Sequence, residues 1–316
     1  MQNYLDLMVK CRDEGIDVFN ERTQKTCRTL VGAQLEFDLS NGEFPAVTTK
    51  ELAFKSMKGE LLGFFRGYDN AADFRSLGCG IWNKNANETP AWLANPNRKG
   101  VDDLGRIYGV QWNNWKAYKI VKDLKEVKSE VDGYKLEMYD QYNKKALYVQ
   151  SINQLEKALR TIITNPSDRR IIVSAWNPGE LDKMALPPCH VDYRFTPIND
   201  YLHIVMTIRS WDLFLGASFN IASTALFLSI MAELSGYLPG KVIIQATNAH
   251  LYSDHFDALE EQLTRDVFPS PQLMLSNNIN KVSLDEIPGV FTRINPEDIW
   301  LENYKHHDPI KAPMAI

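Results

Sequence analysis

Cysteine is scarce in this 316-residue chain and never clustered: Cys11, Cys27, Cys79 and Cys189 are widely spaced and form no CxxC pair. Neither a zinc site nor a disulfide framework is suggested, and no metal is expected. The chain also lacks the GxGxxG turn and regular strand-helix alternation of a nucleotide-binding parallel sheet, any internal repeat and any low-complexity segment. Basic charge is not in excess, with 35 Lys+Arg against 40 Asp+Glu and a net charge of -5. A general nucleic-acid binder is therefore not expected, although an anionic small ligand requires only a local arginine cluster. No stretch approaches the roughly 20 apolar residues of a membrane span. The Met1-Gln-Asn-Tyr-Leu5 start has no basic patch followed by an apolar run, so the expectation is a cytoplasmic protein without a membrane partner. What remains is ordinary globular composition, 44% hydrophobic and 24% charged. The chain is long enough for a substantial core in one large domain or two average ones.

Periodicity supplies the elements. Residues 2–15 carry Tyr4, Leu5, Met8, Val9 and Cys11 at near-helical spacing and stop at Gly15. Thr29 to Leu39 alternates like a strand, Lys50 to Phe65 reads as a largely buried helix containing Glu60, and Ser151 to Ile163 is an amphipathic helix. Arg170 to Trp176, Leu202 to Ile208, Val242 to Ala246 and Gln272 to Leu275 are strand-like. Phe219 to Leu234 is apolar nearly all round and predicts a central helix stopped by Gly236. The charge-rich, poorly periodic stretch at about 119–147 reads as a surface insertion in a single α+β domain spanning 1–316.

The most informative segment is Met184-Ala-Leu-Pro-Pro-Cys-His190, which sets a thiol on a stiff Pro-Pro platform beside an imidazole. Only the thiolate is nucleophilic, and its population depends on nearby positive charge or hydrogen-bond donors. Arg22, Arg169, Arg170 and Arg209 each stand in polar settings unlike a salt-bridged helix face. A lone intracellular cysteine is more often a small buried hydrophobe, so adjacency to His190 does not by itself decide for catalysis. Glu60 poses a second question, because a buried carboxyl is costly unless paired, hydrogen-bonded or used.

The order of the PPCH segment at 187–190, Arg209-Ser-x-Asp212-x-x-Leu-Gly216-x-x-Phe-Asn220, and Ala249-His-x-Tyr252 resembles the thymidylate synthase and pyrimidine hydroxymethylase family over nearly the whole length, from Arg22-Thr23 to the terminal IKAPMAI. The resemblance implies an α+β fold whose large mixed β-sheet packs on the same sheet of a second subunit, flanked by long helices. It implies a homodimer that binds dUMP and uses 5,10-methylenetetrahydrofolate as co-substrate. In the family the thiolate adds to carbon 6 of uracil, and carbon 5 then attacks the methylene carbon of the folate. By resemblance Cys189 is the nucleophile, Glu60 a buried acid-base group that organises water, and Tyr108 and His190 complete its network. Arg22, Arg209 and Ser210 would hold the nucleotide phosphate, with Arg169 and Arg170 lent by the partner subunit. Asn220 would read the pyrimidine edge, and His250 and Tyr252 the sugar hydroxyl. Ile81, Trp82, Asn85, Asp212, Leu215, Gly216 and Phe219 would line the folate side, Asp212 bonding the pterin, and the Ile316 carboxylate would close the lid.

Several positions depart from the family pattern. The usual IWDEW is Ile81-Trp-Asn-Lys-Asn85, the usual QRS is Ile208-Arg-Ser210, the usual LGxPFN is Leu215-Gly-Ala-Ser-Phe-Asn220, the usual GDAH is Thr247-Asn-Ala-His250, and Arg194 replaces a glutamine. An indole replaced by Asn85 would admit water to the exocyclic methylene intermediate. The expectation is therefore a deoxyuridylate hydroxymethylase, of a branch known mostly from phages with modified DNA. The alternative is thymidylate synthase, in which hydride from tetrahydrofolate gives dTMP; a catalytically inactive nucleotide-binding regulator is a third reading.

Overall fold

The structure, a computed structural model, describes residues 1–21, 23–122 and 126–314. Among these, seven strands form one mixed sheet in the order Ile16–Asn20, Lys25–Asp38, Leu238–Tyr252, Tyr201–Ile208, His190–Ile198, Ile172–Ser174, with Trp211–Asp212 paired to the far end of Leu238–Tyr252. Leu238–Tyr252 runs parallel to Tyr201–Ile208 and antiparallel to Lys25–Asp38. The mixed α+β architecture agrees with the resemblance.

Burial explains which elements form. Along Tyr201–Ile208, Leu202, Ile204, Met206 and Ile208 are buried while the intervening residues are half-exposed, the period of two expected of a strand covered on one face. The cover is the helix Ala217–Ser235, packed on this strand and on Leu238–Tyr252. By length and composition this helix could cross a membrane, contrary to the reading that no stretch comes near; the fold buries it on nearly every side instead. Gly236 ends it in the left-handed region at φ 80°, its N–H capping Ala232 and Glu233. The helix Gln154–Thr164 buries Leu155, Ala158, Leu159 and Ile162 and is capped by Asn153, whose side chain accepts from Glu156 N–H at 3.1 Å.

Two boundaries differ from the periodicity. The helix expected from Lys50 begins at Phe54, because Lys50 is buried and donates to the Phe214 carbonyl at 2.5 Å, which holds residues 50–53 as connecting chain. The stretch at 119–147 takes part in a separate antiparallel sheet of Trp115–Val121, Lys145–Ile152, Tyr134–Asp140 and Glu130–Val131. Only Ala146 and Tyr148 of its strands are buried, so its pattern on the chain is too polar to read as strand.

Close packing sets the helices that bear site residues. Tyr108–Asn113 lies against Phe54–Phe65 so tightly that a Cβ on Gly109 would stand 2.5 Å from the Phe64 backbone. Asn113 Nδ2 locks the pair by donating to the Phe64 carbonyl at 2.8 Å.

Candidate active site

The ends of these elements converge on a cavity of about 340 Å³. Its floor is the strand junction: Cys189 and His190 open one strand, Ser210 follows the next, and Asp212, His250 and Tyr252 end the paired segments. Leu215, Gly216, Phe219 and Asn220 come from the entry to the central helix, and Glu60, Phe64, Ile81, Trp82, Asn85 and Tyr108 form the opposite wall.

Cys189 is half-buried, unlike the three other cysteines, which are buried and reduced. Its backbone N–H donates to Tyr108 Oη at 2.6 Å. Arg209 is pinned by donating from Nε to the Pro188 carbonyl and from Nη2 to the Pro187 carbonyl, each at 2.9 Å. This places Nη2 4.0 Å from Cys189 Sγ, with the guanidinium 5.5 Å over the Trp176 ring. The Pro-Pro platform works through its carbonyls, which aim the arginine.

Glu60 is buried, and burial raises its carboxyl to about 8 against the opposing hydrogen bond from Trp82 Nε1 at 3.0 Å. At neutral pH it holds a proton, as a buried acid that can give or take one must. Burial, then the nearby Cys189, push the Tyr108 phenol well above its ordinary value. His190 is pushed down to about 4 by burial, opposed by Asn220, and its ring is neutral at pH 7. A register shift between His190 and Asp192 turns both His190 and Tyr193 inward, where Tyr193 Oη meets His190 Nδ1 at 3.0 Å. His250 is lowered by burial and pairs through Nδ1 with Asn248 Oδ1 at 2.8 Å. Asp212 Oδ1 accepts from the N–H groups of Phe214 and Leu215 at 2.9 and 3.1 Å, which fixes the carboxylate at the cavity edge.

Most residues singled out in the sequence meet here. Arg209 stands behind the thiol rather than in the wall. Arg169 and Arg170 do not reach the cavity of their own chain; they are exposed at the turn before the edge strand Ile172–Ser174, Arg170 paired with Asp168 at 2.8 Å. Arg22 and Ile316 lie outside the described residues.

The structure also sorts the departures from the family pattern. Asn85 lines the cavity, whereas Ile208 is in the core and Arg194 pairs with Asp192 at 2.9 Å on the open face of the sheet. Asn248 sits behind His250. Ser218 is buried beside the lining residue Phe219, so of these departures Asn85 lines the cavity, while Ser218 and Asn248 adjoin residues that line it.

Four contributors escaped the sequence reading. Phe64 stacks on Tyr108 with ring centroids 5.0 Å apart, and Leu186 and Met314 complete the apolar lining. His255, fully buried, holds the Pro313 carbonyl through Nε2 at 2.9 Å, while its Nδ1 lies 3.8 Å from Asp212 Oδ1. Five residues beyond His250, it extends the Ala-His-x-Tyr pattern to a second histidine, the one signal that could have found it.

The thymidylate synthase family matches residues 2–316. Curated thymidylate synthases from Pseudomonas putida and Bordetella parapertussis are each 42% identical over 325 residues, and one from Idiomarina loihiensis is 38% identical over 317 residues. In all three cases the match covers 100% of both chains. A folate-dependent one-carbon transferase is the class so defined. The chain belongs to the thymidylate synthase family, whose substrates are dUMP and 5,10-methylenetetrahydrofolate.

Proposed function

We propose that this enzyme is a thymidylate synthase, converting dUMP and methylenetetrahydrofolate to dTMP and dihydrofolate in the cytoplasm. The observation that carries the reading is full-length identity of about two residues in five to relatives named thymidylate synthase. The hydroxymethylase expected from the departures has less behind it, since the relatives carry the name thymidylate synthase and, of the departures placed above, Asn85 alone lines the cavity.

In this reading Cys189 adds to carbon 6 of the uracil, and Arg209 stabilises the thiolate before attack and after expulsion. Ser210 in the cavity wall and Arg22 would hold the phosphate, with Arg209, whose Nε and Nη2 are turned to the Pro188 and Pro187 carbonyls, reaching it through Nη1. Asn220 donates to and accepts from the pyrimidine edge, and its contact with neutral His190 keeps the amide oriented. His250 and Tyr252 meet the sugar hydroxyl. Protonated Glu60, held by Trp82, supplies the proton traffic that carbonyl polarisation at the base demands, with Tyr108 as its neighbour at the thiol. Carbon 5 would bond to the folate methylene and lose its proton; the bond from that methylene to the folate nitrogen would then break, and the tetrahydrofolate, still held in the cavity, would give hydride to the exocyclic methylene as Cys189 is expelled, leaving dTMP and dihydrofolate. Ile81, Asn85, Leu215, Gly216 and Phe219 would enclose the folate, Asp212 bonding the pterin.

Water exclusion decides the second half of the reaction. Buried Trp82 and the tail, anchored at Pro313 and contributing Met314 to the lining, support hydride transfer. Asn85 supports the second reading, deoxyuridylate hydroxymethylation. Incubation with both substrates and mass spectrometry of the nucleotide separates them: a methyl product with one dihydrofolate per turnover is expected, and a hydroxymethyl product without dihydrofolate would reverse the assignment.

We further propose a homodimer through the open sheet face. By register this face presents Gln34, Gln245, Thr207 and Asp192 in one row and Glu36, Ile243, Val205, Arg194 and Ile172 in the next. Thr207 Oγ1 and Asp192 Oδ1 are shielded without a hydrogen-bond partner among the described residues, the kind of polar group a second subunit would satisfy. Arg169 and Arg170, at the edge of this face, would reach the partner's nucleotide phosphate.

A further inference from the structure

On the far side of the catalytic helices lies a separate cleft of about 570 Å³. Arg66, Lys99, Arg106 and Lys183 line it, and Asp69 is the one acid in the wall, with Glu180 beneath. Lys99 is 3.6 Å from Asp69, and Glu180 is shared by Arg106 at 2.5 Å and Lys183 at 3.7 Å. Asp103 adds a third carboxylate behind the wall, accepting from the Lys99 and Gly105 N–H groups at 2.7 and 3.1 Å, so four cations face three carboxylates, a local excess of positive charge on a chain whose net charge is -5. Donors also remain: Arg66 uses Nη2 on the Ile294 carbonyl and Asn295 Oδ1, and Arg106 uses Nε and Nη2 on Glu180 and the Asn114 carbonyl. Among the described residues no acceptor engages Nη1 of either.

We propose that this cleft binds a small phosphate-bearing anion and that the bound anion acts on the catalytic site. Paired guanidinium forks and lysines are the chemistry that recognises phosphate, and the volume admits a nucleotide-sized molecule. Its walls are the ends of the elements that carry the reacting groups. Arg66 and Gly67 follow the helix bearing Glu60; Gly105 and Arg106 lead into Tyr108; Lys183 precedes the Cys189 segment. These walls are joined rigidly, since Arg106 N–H donates to the Lys183 carbonyl at 2.8 Å and a Cβ on Gly105 would stand 2.1 Å from that oxygen. An anion drawing Arg66, Arg106 and Lys183 together pulls on all three segments at once.

The test uses the full chain and inorganic pyrophosphate and ATP as probes in titration calorimetry, with dUMP as control titrant. The variant Arg66→Gln/Lys99→Gln/Lys183→Gln is expected to bind pyrophosphate at least tenfold more weakly than the parent and dUMP unchanged. Pyrophosphate is expected to alter dUMP turnover in the parent and not in the variant. Equal affinity in both proteins, no binding by the parent, or binding without effect on turnover would each overturn the proposal. Tighter binding of ATP than of pyrophosphate supports a nucleotide as the source, and equal binding a phosphate group alone. Should the triple variant not fold, Lys99→Gln/Lys183→Gln, at the two more exposed positions, carries the same expectation. Failure of dUMP to bind the parent would count against the proposed function and leave the cleft's result standing.

Discussion

At the scale of single residues the site is a set of opposed charge states. Glu60 is kept protonated, His190 neutral and Arg209 fixed beside the thiol, each by its surroundings rather than by its neighbours in sequence. Cys189→Ser is expected to abolish exchange of the carbon-5 hydrogen of dUMP, measured as tritium release; appreciable release from a folded variant would remove Cys189 from the mechanism. Glu60 makes a pH prediction with a definite sign. Its folded-state value is raised to about 8 from an ordinary 4.5, so the folded state holds a proton that the unfolded chain gives up. The associated stability is fully present below about pH 4.5 and is lost as pH rises toward 8. Urea unfolding of Glu60→Gln should therefore lack a fall in stability that the parent shows across that window. The same substitution should cost about 10²-fold or more in turnover, the size typical of a lost acid-base group. A variant with parental turnover and parental pH dependence of stability would contradict both. The Pro-Pro-Cys and Glu60 clues were legible in the chain, but His255 and Phe64 were not, because a buried histidine or aromatic ring looks the same in sequence whether it faces core or cavity.

At the scale of elements, what matters is how closely they approach. Gly109→Ala would drive a methyl into the Phe64 backbone and is expected to destabilise the protein by about 1–3 kcal/mol, the usual cost of overpacking. It should also displace Tyr108 from the Cys189 N–H and lower turnover more than it lowers dUMP affinity. Unchanged unfolding midpoint and kinetics would show that the two helices can part without consequence. His255 ties the tail to the Asp212 corner. His255→Phe keeps the ring volume and removes the bond to Pro313, so looser closure is expected: a raised KM for methylenetetrahydrofolate and, if water enters, some hydroxymethyl product beside dTMP. A variant with unaltered folate KM and product would exclude His255 as a positioning residue. Periodicity placed the helices at 2–15 and in the central apolar run almost to the residue. It missed the start of the helix at Phe54 because the hydrogen bond that holds Lys50 in the connecting chain, to the Phe214 carbonyl, comes from a distant segment. It also missed the sheet at 115–152, whose strands are covered on too little of their surface to leave an alternating pattern.

For the whole molecule the central question is whether each site needs two chains. Arg170→Ala and Cys189→Ala, each inactive as a proposed homodimer, should regain partial activity when co-expressed, because a mixed dimer contains one site with both an intact thiol and an intact arginine. Absence of complementation between folded variants would confine each site to one chain. By itself the sequence determined the family and with it the α+β class, and it singled out Cys189 as the candidate nucleophile, since motif order and periodicity are written along the chain. Only the tertiary structure decided where the departures lie, placing Asn85 in the cavity wall, Ile208 in the core and Arg194 on the open sheet face. The same holds for the charge states of Glu60 and His190. Which side of a strand faces a cavity, and how far a carboxyl is from water, are properties of segments brought together from distant parts of the chain, and local sequence does not encode them.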